Sequence, residues 1–89
     1  MIKYLYATKN IKSGNFGQAR YEDFPKEAAV EVYNVAVKEA RKEDQELFKE
    51  LDLYYLGTFD TKEGKFEGEP EYLVSLVTLI GDQDGRKEA

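Results

Sequence analysis

The segment LYYLGTFDTKEGKFE, residues 53–67, is the strongest structural signal in this 89-residue chain. Positions 52–59 predict a β-strand, because five of these eight residues are aliphatic or aromatic. Residues 60–65 then read as a hairpin turn in which Gly64 supplies a positive φ, and residues 66–67 begin a return strand. The segment therefore predicts a C-terminal antiparallel hairpin, which becomes a meander if a third strand follows.

Residues 72–80 are apolar and rich in β-branched side chains, which favours a further strand. The acidic residues just before them can equally begin a helix. An exposed apolar strand would pair with a second copy of the chain, so we expect a homo-oligomer, most simply a dimer. The side chains of the expected oligomer interface are Leu73, Leu76, Val77, Leu79 and Ile80.

An N-terminal hairpin is predicted ahead of these strands. Apolar and polar residues alternate over Ile2–Thr8, turn-forming residues occupy Asn10–Gly17, and Gln18–Glu22 forms a short return strand. The alternation places Ile2, Tyr4, Tyr6, Ala19 and Tyr21 on the face that a helix should cover, so we expect these tyrosines to pack in the core.

The residues between the two hairpins predict a helix. Pro25 suits the first turn, Asp23 can cap it, and apolar residues recur at helical spacing as far as Leu51. The apolar pattern lapses near Glu43 and Asp44, which predicts a kink or break there and leaves two shorter helices as the alternative. The predicted fold class is α+β: an N-terminal β-hairpin, one long helix and a C-terminal antiparallel hairpin or meander. We expect one compact domain over residues 1–80 and a flexible charged tail over 81–89.

Composition excludes several classes of chemistry. The chain has no cysteine and no histidine, which rules out disulfides, thiolate or imidazole metal sites, and Cys or His nucleophiles. Most carboxylates fall in turns or on predicted helix surfaces. Asp52 and Asp60, at the two ends of the central strand, are the exceptions to examine. We therefore expect no catalytic residues, no cofactor and no metal.

The charge distribution points to one candidate binding region. The net charge is −5, yet residues 1–20 contain four basic residues and no acid. An ordinary mixed surface would also produce this pattern. If the basic residues act together, they form a single-strand nucleic-acid site in which Phe16, at the tip of the first loop, stacks on a base. The candidate residues are Lys3, Lys9, Lys12, Phe16 and Arg20.

The central segment is also similar to a known protein family. Residues 53–60, the turn at 61–65, and the return strand with Pro70 resemble the small nonstructural protein of gokushovirus-type microviruses, which are single-stranded DNA phages. The N-terminal strand and the alanine-rich Glu27–Val30 match the same family. The resemblance implies a nonstructural phage protein, for which DNA binding has been suggested, and it supplies no catalytic residue.

Two functions follow as expectations. The first is a non-enzymatic phage accessory protein that binds single-stranded DNA through the basic N-terminal hairpin. The alternative is an acidic factor that binds a host or phage protein as an inhibitor or adaptor. No signal peptide or membrane segment is recognisable, so we expect no membrane partner and a cytoplasmic location, that of the bacterial host if the chain is of phage origin.

Overall fold

The structure is a computed structural model that describes residues 1–80. It combines an antiparallel sheet with helices, as the sequence predicts. The predicted charged tail, residues 81–89, lies outside the described residues. The elements in chain order are β1 (Ile2–Asn10), β2 (Arg20–Glu22), α1 (Lys26–Glu39), α2 (Lys42–Phe48), β3 (Leu51–Asp60), β4 (Lys65–Glu67) and β5 (Glu71–Ser75).

The two long strands β1 and β3 form the centre of the sheet. They pair antiparallel along their whole length, from Ile2 opposite Asp60 to Asn10 opposite Leu51. The strand β2 pairs with the other edge of β1, which confirms the predicted N-terminal hairpin. The predicted C-terminal hairpin or meander is matched only in part, because β4 and β5 both pair with the same edge of β3.

A β-bulge interrupts the pairing of the two central strands. Leu5 lies opposite Gly57, but the next residue, Tyr6, lies opposite Tyr55, so Leu56 is one extra residue on β3. An extra residue shifts the alternation of side chains between the two faces of a strand. In β3 the odd-numbered residues before Leu56 and the even-numbered residues after it therefore share one face of the sheet.

Between β4 and β5 the chain contacts β3 at two glycines. Gly57 and Gly68 have φ values of 143° and 147°, a conformation open to glycine and strained for other residues. A Cβ on Gly57 would lie 2.2 Å from the carbonyl oxygen of Glu67, and one on Gly68 would lie 2.5 Å from that of Leu56. The backbones therefore touch, and a side chain at either position would push them apart.

The single long helix predicted from the sequence is wrong, and the alternative of two helices is correct. The break lies at Ala40 and Arg41, three residues before the predicted position, where both residues adopt extended backbone angles. Gln45 of α2 donates from its side-chain amide to the carbonyl oxygens of Val37 (3.0 Å) and Ala40 (3.4 Å). Because the last carbonyls of a helix have no partner within it, this glutamine stabilises the break.

The predicted strand over residues 72–80 is wrong in its second half. Strand β5 ends at Ser75, and residues 76–80 are helical. Leu76, Leu79 and Ile80 are buried in the core of the chain itself, Leu73 is half-buried, and Val77 alone of the five expected interface residues is exposed. An exposed apolar strand was the reason to expect self-association through this segment, and that reason no longer holds.

The core lies between the sheet and the helices and is centred on Tyr6. This side chain is fully buried, and its ring lies 5.2 Å from that of Phe24 and 5.5 Å from that of Tyr55. Its hydroxyl donates a 2.8 Å hydrogen bond to the carbonyl oxygen of Phe24, just before α1 begins. Buried polar groups need such a partner, and this bond links the segment between β2 and α1 to the core.

The close backbone contact at Gly57 predicts a large loss of stability for Gly57→Ala. The new methyl group would both clash with Glu67 and occupy a strained φ, so we expect the free energy of unfolding to fall by about 3 kcal/mol or more. Gly64→Ala is the matched control, because Gly64 also has a positive φ but a Cβ added there would meet no atom within 4 Å. The control should lose about 1–2 kcal/mol. Urea denaturation measures both, and equal losses would contradict the close contact at Gly57.

The buried tyrosine predicts instability at alkaline pH. Burial raises the pKa of Tyr6 well above its ordinary value, and burial also raises the pKa of Tyr33 and of Tyr55. A group whose pKa is raised on folding stabilises the folded state below its unfolded pKa, about 10 for tyrosine, and loses that contribution as pH rises further. The free energy of unfolding should therefore decline above about pH 10. Tyr6→Phe should show a shallower decline in urea denaturation at stepped pH; an unchanged decline would contradict a role for Tyr6.

Candidate nucleic-acid interface

The alternation of side chains along the strands divides the sheet into two faces. Both helices and residues 76–80 pack on the face that contains Tyr6 and Leu53. No helix of residues 1–80 packs on the opposite face, which we call the open face. By pairing register, the open face carries Lys3, Leu5, Ala7, Lys9, Tyr21, Asp52, Tyr54, Phe59, Phe66, Tyr72 and Ser75, and Phe16 joins them through its bridge to Lys9.

Four residues at one end of the open face form a group that we call the Lys9 cluster: Lys9, Phe16, Tyr54 and Tyr72. The ammonium nitrogen of Lys9 lies 5.4 Å from the ring centre of Phe16 and 5.5 Å from that of Tyr54. These distances are typical of cation–π contacts. The Phe16 and Tyr54 rings meet edge to face at 5.1 Å. Within residues 1–80, Lys9 makes no ion pair, so its charge remains available to a ligand.

Hydrogen bonds hold Tyr72 in this cluster. Its ring lies 5.9 Å from that of Tyr54, and its hydroxyl lies 3.0 Å from the Ser75 Oγ. The Ser75 hydroxyl in turn donates a 2.7 Å bond to the Asp52 carboxylate. Tyr72 as a whole is nevertheless 52% exposed. Its orientation is therefore fixed while its surface remains open to solvent.

The loop between β1 and β2 holds Phe16 over the sheet. The side-chain oxygen of Asn10 accepts bonds from the backbone amides of Lys12 (2.9 Å) and Ser13 (3.0 Å), which tightens the first turn. The amide of Gly17 then donates to the carbonyl oxygen of Thr8 at 2.7 Å. These bonds return the chain to the edge of β1, where Phe16 bridges Lys9 and is 42% exposed.

The open face is less acidic than the rest of the molecule. Residues 1–80 contain 11 basic and 15 acidic residues. The charged strand residues on the open face are Lys3, Lys9 and Asp52, and Asp52 already accepts a hydrogen bond from Ser75. The acids of the helices lie on the other side of the sheet. A polyanion can therefore approach the open face although the whole chain is negative.

The structure brings together only part of the site predicted from the sequence. Lys9 and Phe16 are in contact, as described above. Lys3 lies on the same face, near its other end, and is ion-paired with Asp23. Lys12 lies in the tight turn and is 3.1 Å from the Glu50 carboxylate.

Arg20 points away from this site. It lines a cavity of about 250 Å³ between the helices and the sheet, together with Tyr33, Val37, Phe48 and Leu53 among others. It also lies 3.5 Å from the carboxylate of Glu22, its neighbour on β2. Tyr33 shares this region: burial and the charge of Glu22 raise its pKa, and Arg20 partly offsets that effect. Arg20 therefore belongs to the helix-covered face.

Prediction from the sequence also placed one aromatic residue on the wrong face of the sheet and left two others out of the candidate site. Tyr4 and Tyr6 lie on the helix-covered face, as expected, but Tyr21 pairs with Leu5 and lies on the open face. Its predicted place in the core is wrong because the hydrogen-bond register of β2, not local alternation, decides which face it occupies. Tyr54 and Tyr72 were not among the candidates, although alternation within 52–59 already placed Tyr54 on the other face of the strand from Leu53.

The two carboxylates singled out from the sequence both have structural partners. Asp52 accepts the bond from Ser75 described above. Asp60 accepts bonds from the backbone amides of Lys62 (2.9 Å) and Glu63 (3.3 Å), which close the turn after β3. Each carboxylate is therefore engaged in maintaining a local conformation.

Comparison with known proteins adds no identification. No family model, no curated protein and no solved structure matches the chain. Within residues 1–80, the helices are all too short or too polar to span a membrane.

Proposed function

We propose that this chain is a non-enzymatic accessory protein that binds single-stranded nucleic acid through the open face, centred on the Lys9 cluster. The observation that carries the proposal is the set of exposed, pre-positioned aromatic rings around Lys9, which has no ion pair within residues 1–80. The resemblance of residues 53–70 supports an origin in a single-stranded DNA phage, in which case the protein acts in the cytoplasm of the bacterial host.

Stacking supplies the main attraction in this proposal. An aromatic side chain can stack on any base, and such contacts contribute about 1–3 kcal/mol per base by alanine substitution. Phe16 and Tyr72 expose about half of their surface, and Tyr54 lies between them. Bases in a duplex are already stacked and inaccessible. The open face therefore favours single strands over duplexes.

Electrostatics supplies a smaller attraction. Each phosphate neutralised on a single strand contributes about −0.7 to the slope of log K against log salt. Lys9 and Lys3 are the two basic residues on the open-face strands. The slope of log K against log salt should therefore be no steeper than about −1.4. Binding should be weak and only moderately sensitive to salt, because the remaining surface is acidic.

A binding role suits the chain better than a catalytic one. General acid–base catalysis needs a group that is free to exchange a proton with the substrate. Asp52 and Asp60, the carboxylates most open to such a role, are used in hydrogen bonds to Ser75 and to a backbone turn. Repurified protein should show only background turnover of esters, phosphoesters and nucleotides.

Alanine substitution of Tyr72 tests the proposal. In Tyr72→Ala the stacking ring is lost, so we expect the affinity for octathymidylate to fall by about fivefold or more, as for one stacking contact. Lys9→Gln should weaken binding by a similar factor and flatten the salt slope. Fluorescence anisotropy of a labelled octathymidylate at low and physiological salt measures both.

Matched controls separate binding from folding. Tyr72→Phe keeps the stacking ring and loses the hydroxyl that bonds Ser75, so it should lose less affinity than Tyr72→Ala. Lys42→Gln changes the same charge on α2, away from the open face, and should leave affinity within about twofold, since distant surface charges are screened by salt. No binding by the native chain at the lowest salt, or equal loss in Lys42→Gln and Lys9→Gln, would refute the proposal.

One observation favours the alternative of an acidic protein-binding factor. On α2, Leu47 is 65% exposed and is flanked by acidic residues. An apolar residue within an acidic helix surface suits a basic, partly apolar partner protein. Pull-down with native chain and Leu47→Ser, after nuclease treatment, tests it. A partner retained by the native chain and lost by the variant would favour this function over nucleic-acid binding.

A further inference from the structure

We propose that the open face contains a second stacking subsite, formed by Tyr21, Phe59 and Phe66, and that its ligand is a single strand long enough to cover both ends of the face. This inference rests on the proposed function and specifies its substrate class: an oligonucleotide that runs along the strands, as opposed to a mononucleotide or dinucleotide.

The second subsite is an aromatic group at the opposite end of the open face. The Tyr21 and Phe59 rings stack across β1 at 5.7 Å, with an interplanar angle of 27°. Phe66 is the cross-strand partner of Phe59. Tyr21 is 57% exposed and Phe66 48% exposed. Exposed aromatic rings at this density on one face are typical of a binding surface.

The bulge at Leu56 places both aromatic groups on the same face. Tyr54 and Phe59 are five positions apart, so in a regular strand they would point to opposite sides of the sheet. The extra residue shifts the alternation, and Tyr54 and Phe59 lie opposite Ala7 and Lys3 of β1, which share a face.

The two aromatic groups are separated along β1 by a closed surface. Ala7 and Leu5, which lie between them, are buried, and the backbone of Glu67 and Gly68 occupies the place of a side chain at Gly57. Lys9 and Lys3 mark the two ends of this surface, six residues apart, or roughly 20 Å at the rise of a β-strand. A stacked strand rises about 3.4 Å per nucleotide, so about six nucleotides span that distance.

An acidic residue restrains the second subsite. Lys3 is ion-paired with Asp23, whose carboxylate is largely exposed. The α1 N-terminus receives no side-chain cap, so Asp23 has no capping role to lose. Asp23→Asn should therefore free the Lys3 ammonium for a phosphate and strengthen the binding of long strands.

The experiment compares trithymidylate, which can cover one subsite, with octathymidylate, which can cover both. The readout is the ratio of their association constants. The longer strand can bind in more registers, which raises its association constant statistically, and this increase is the same in every variant. Tyr21→Ala should lower this ratio by about fivefold or more, as expected for the loss of one stacking contact, and leave trithymidylate binding unchanged. Phe66→Ala, on the other edge of the sheet, should do the same, and Asp23→Asn should raise the ratio.

The outcomes separate this inference from the proposed function. If Tyr72→Ala weakens both oligonucleotides while Tyr21→Ala and Phe66→Ala leave the ratio unchanged, the second subsite is wrong and the proposed function stands. If neither oligonucleotide binds the native chain, the proposed function fails. Urea denaturation of each variant identifies any that is unfolded, and the two alanine variants on different strands keep the test decisive if one of them is lost.

Discussion

The antiparallel pairing of β1 with β3 is the constraint on which the rest of the structure depends. It joins the two long strands over their whole length and so decides which side chains face the helices. Tyr6 and Tyr55 meet beneath α1 and form the core, whereas Lys9 and Tyr54 lie on the other side. The same backbone hydrogen bonds therefore build the core and the candidate site, because each strand alternates between the two.

The bulge and the close contact of two glycines modify that constraint at one point of β3. Leu56 shifts the alternation, and Gly57, the next residue, allows the backbone at Gly68 to lie against the strand. On either side of this contact β4 and β5 share one edge of β3, so that Phe66 and Tyr72 lie at opposite ends of the same face. Bulges re-aim side chains beside functional sites in many sheets. Here the bulge would align two stacking subsites.

The sequence was sufficient for features that depend on local periodicity. Alternation and β-forming residues predicted both central strands, and the alternation around Tyr6 predicted its burial. Prediction from the sequence failed where pairing with residues distant along the chain decides the structure. The face that Tyr21 occupies follows from the hydrogen-bond register of its hairpin. Residues 76–80 are an apolar run compatible with a strand or a helix. They are helical because helical spacing buries Leu76 and Leu79 against the core. For the candidate site, Lys9 and Phe16 were predicted, but Tyr54 joins them only through pairing between strands.

An acidic chain can bind a polyanion only if something other than net charge stabilises the complex, and preorganisation is the contribution that this fold provides. Ordering a side chain on binding costs about 0.5–1.5 kcal/mol, which is comparable with one stacking contact. In this chain the Tyr72 ring is already oriented by Ser75, and Phe16 is held by the Asn10 turn. In the proposed complex little of that cost remains, so a few rings and one or two lysines would suffice for weak binding. The acids on the helices would oppose such a complex only weakly, because their charge lies across the sheet from the proposed site and is screened by salt.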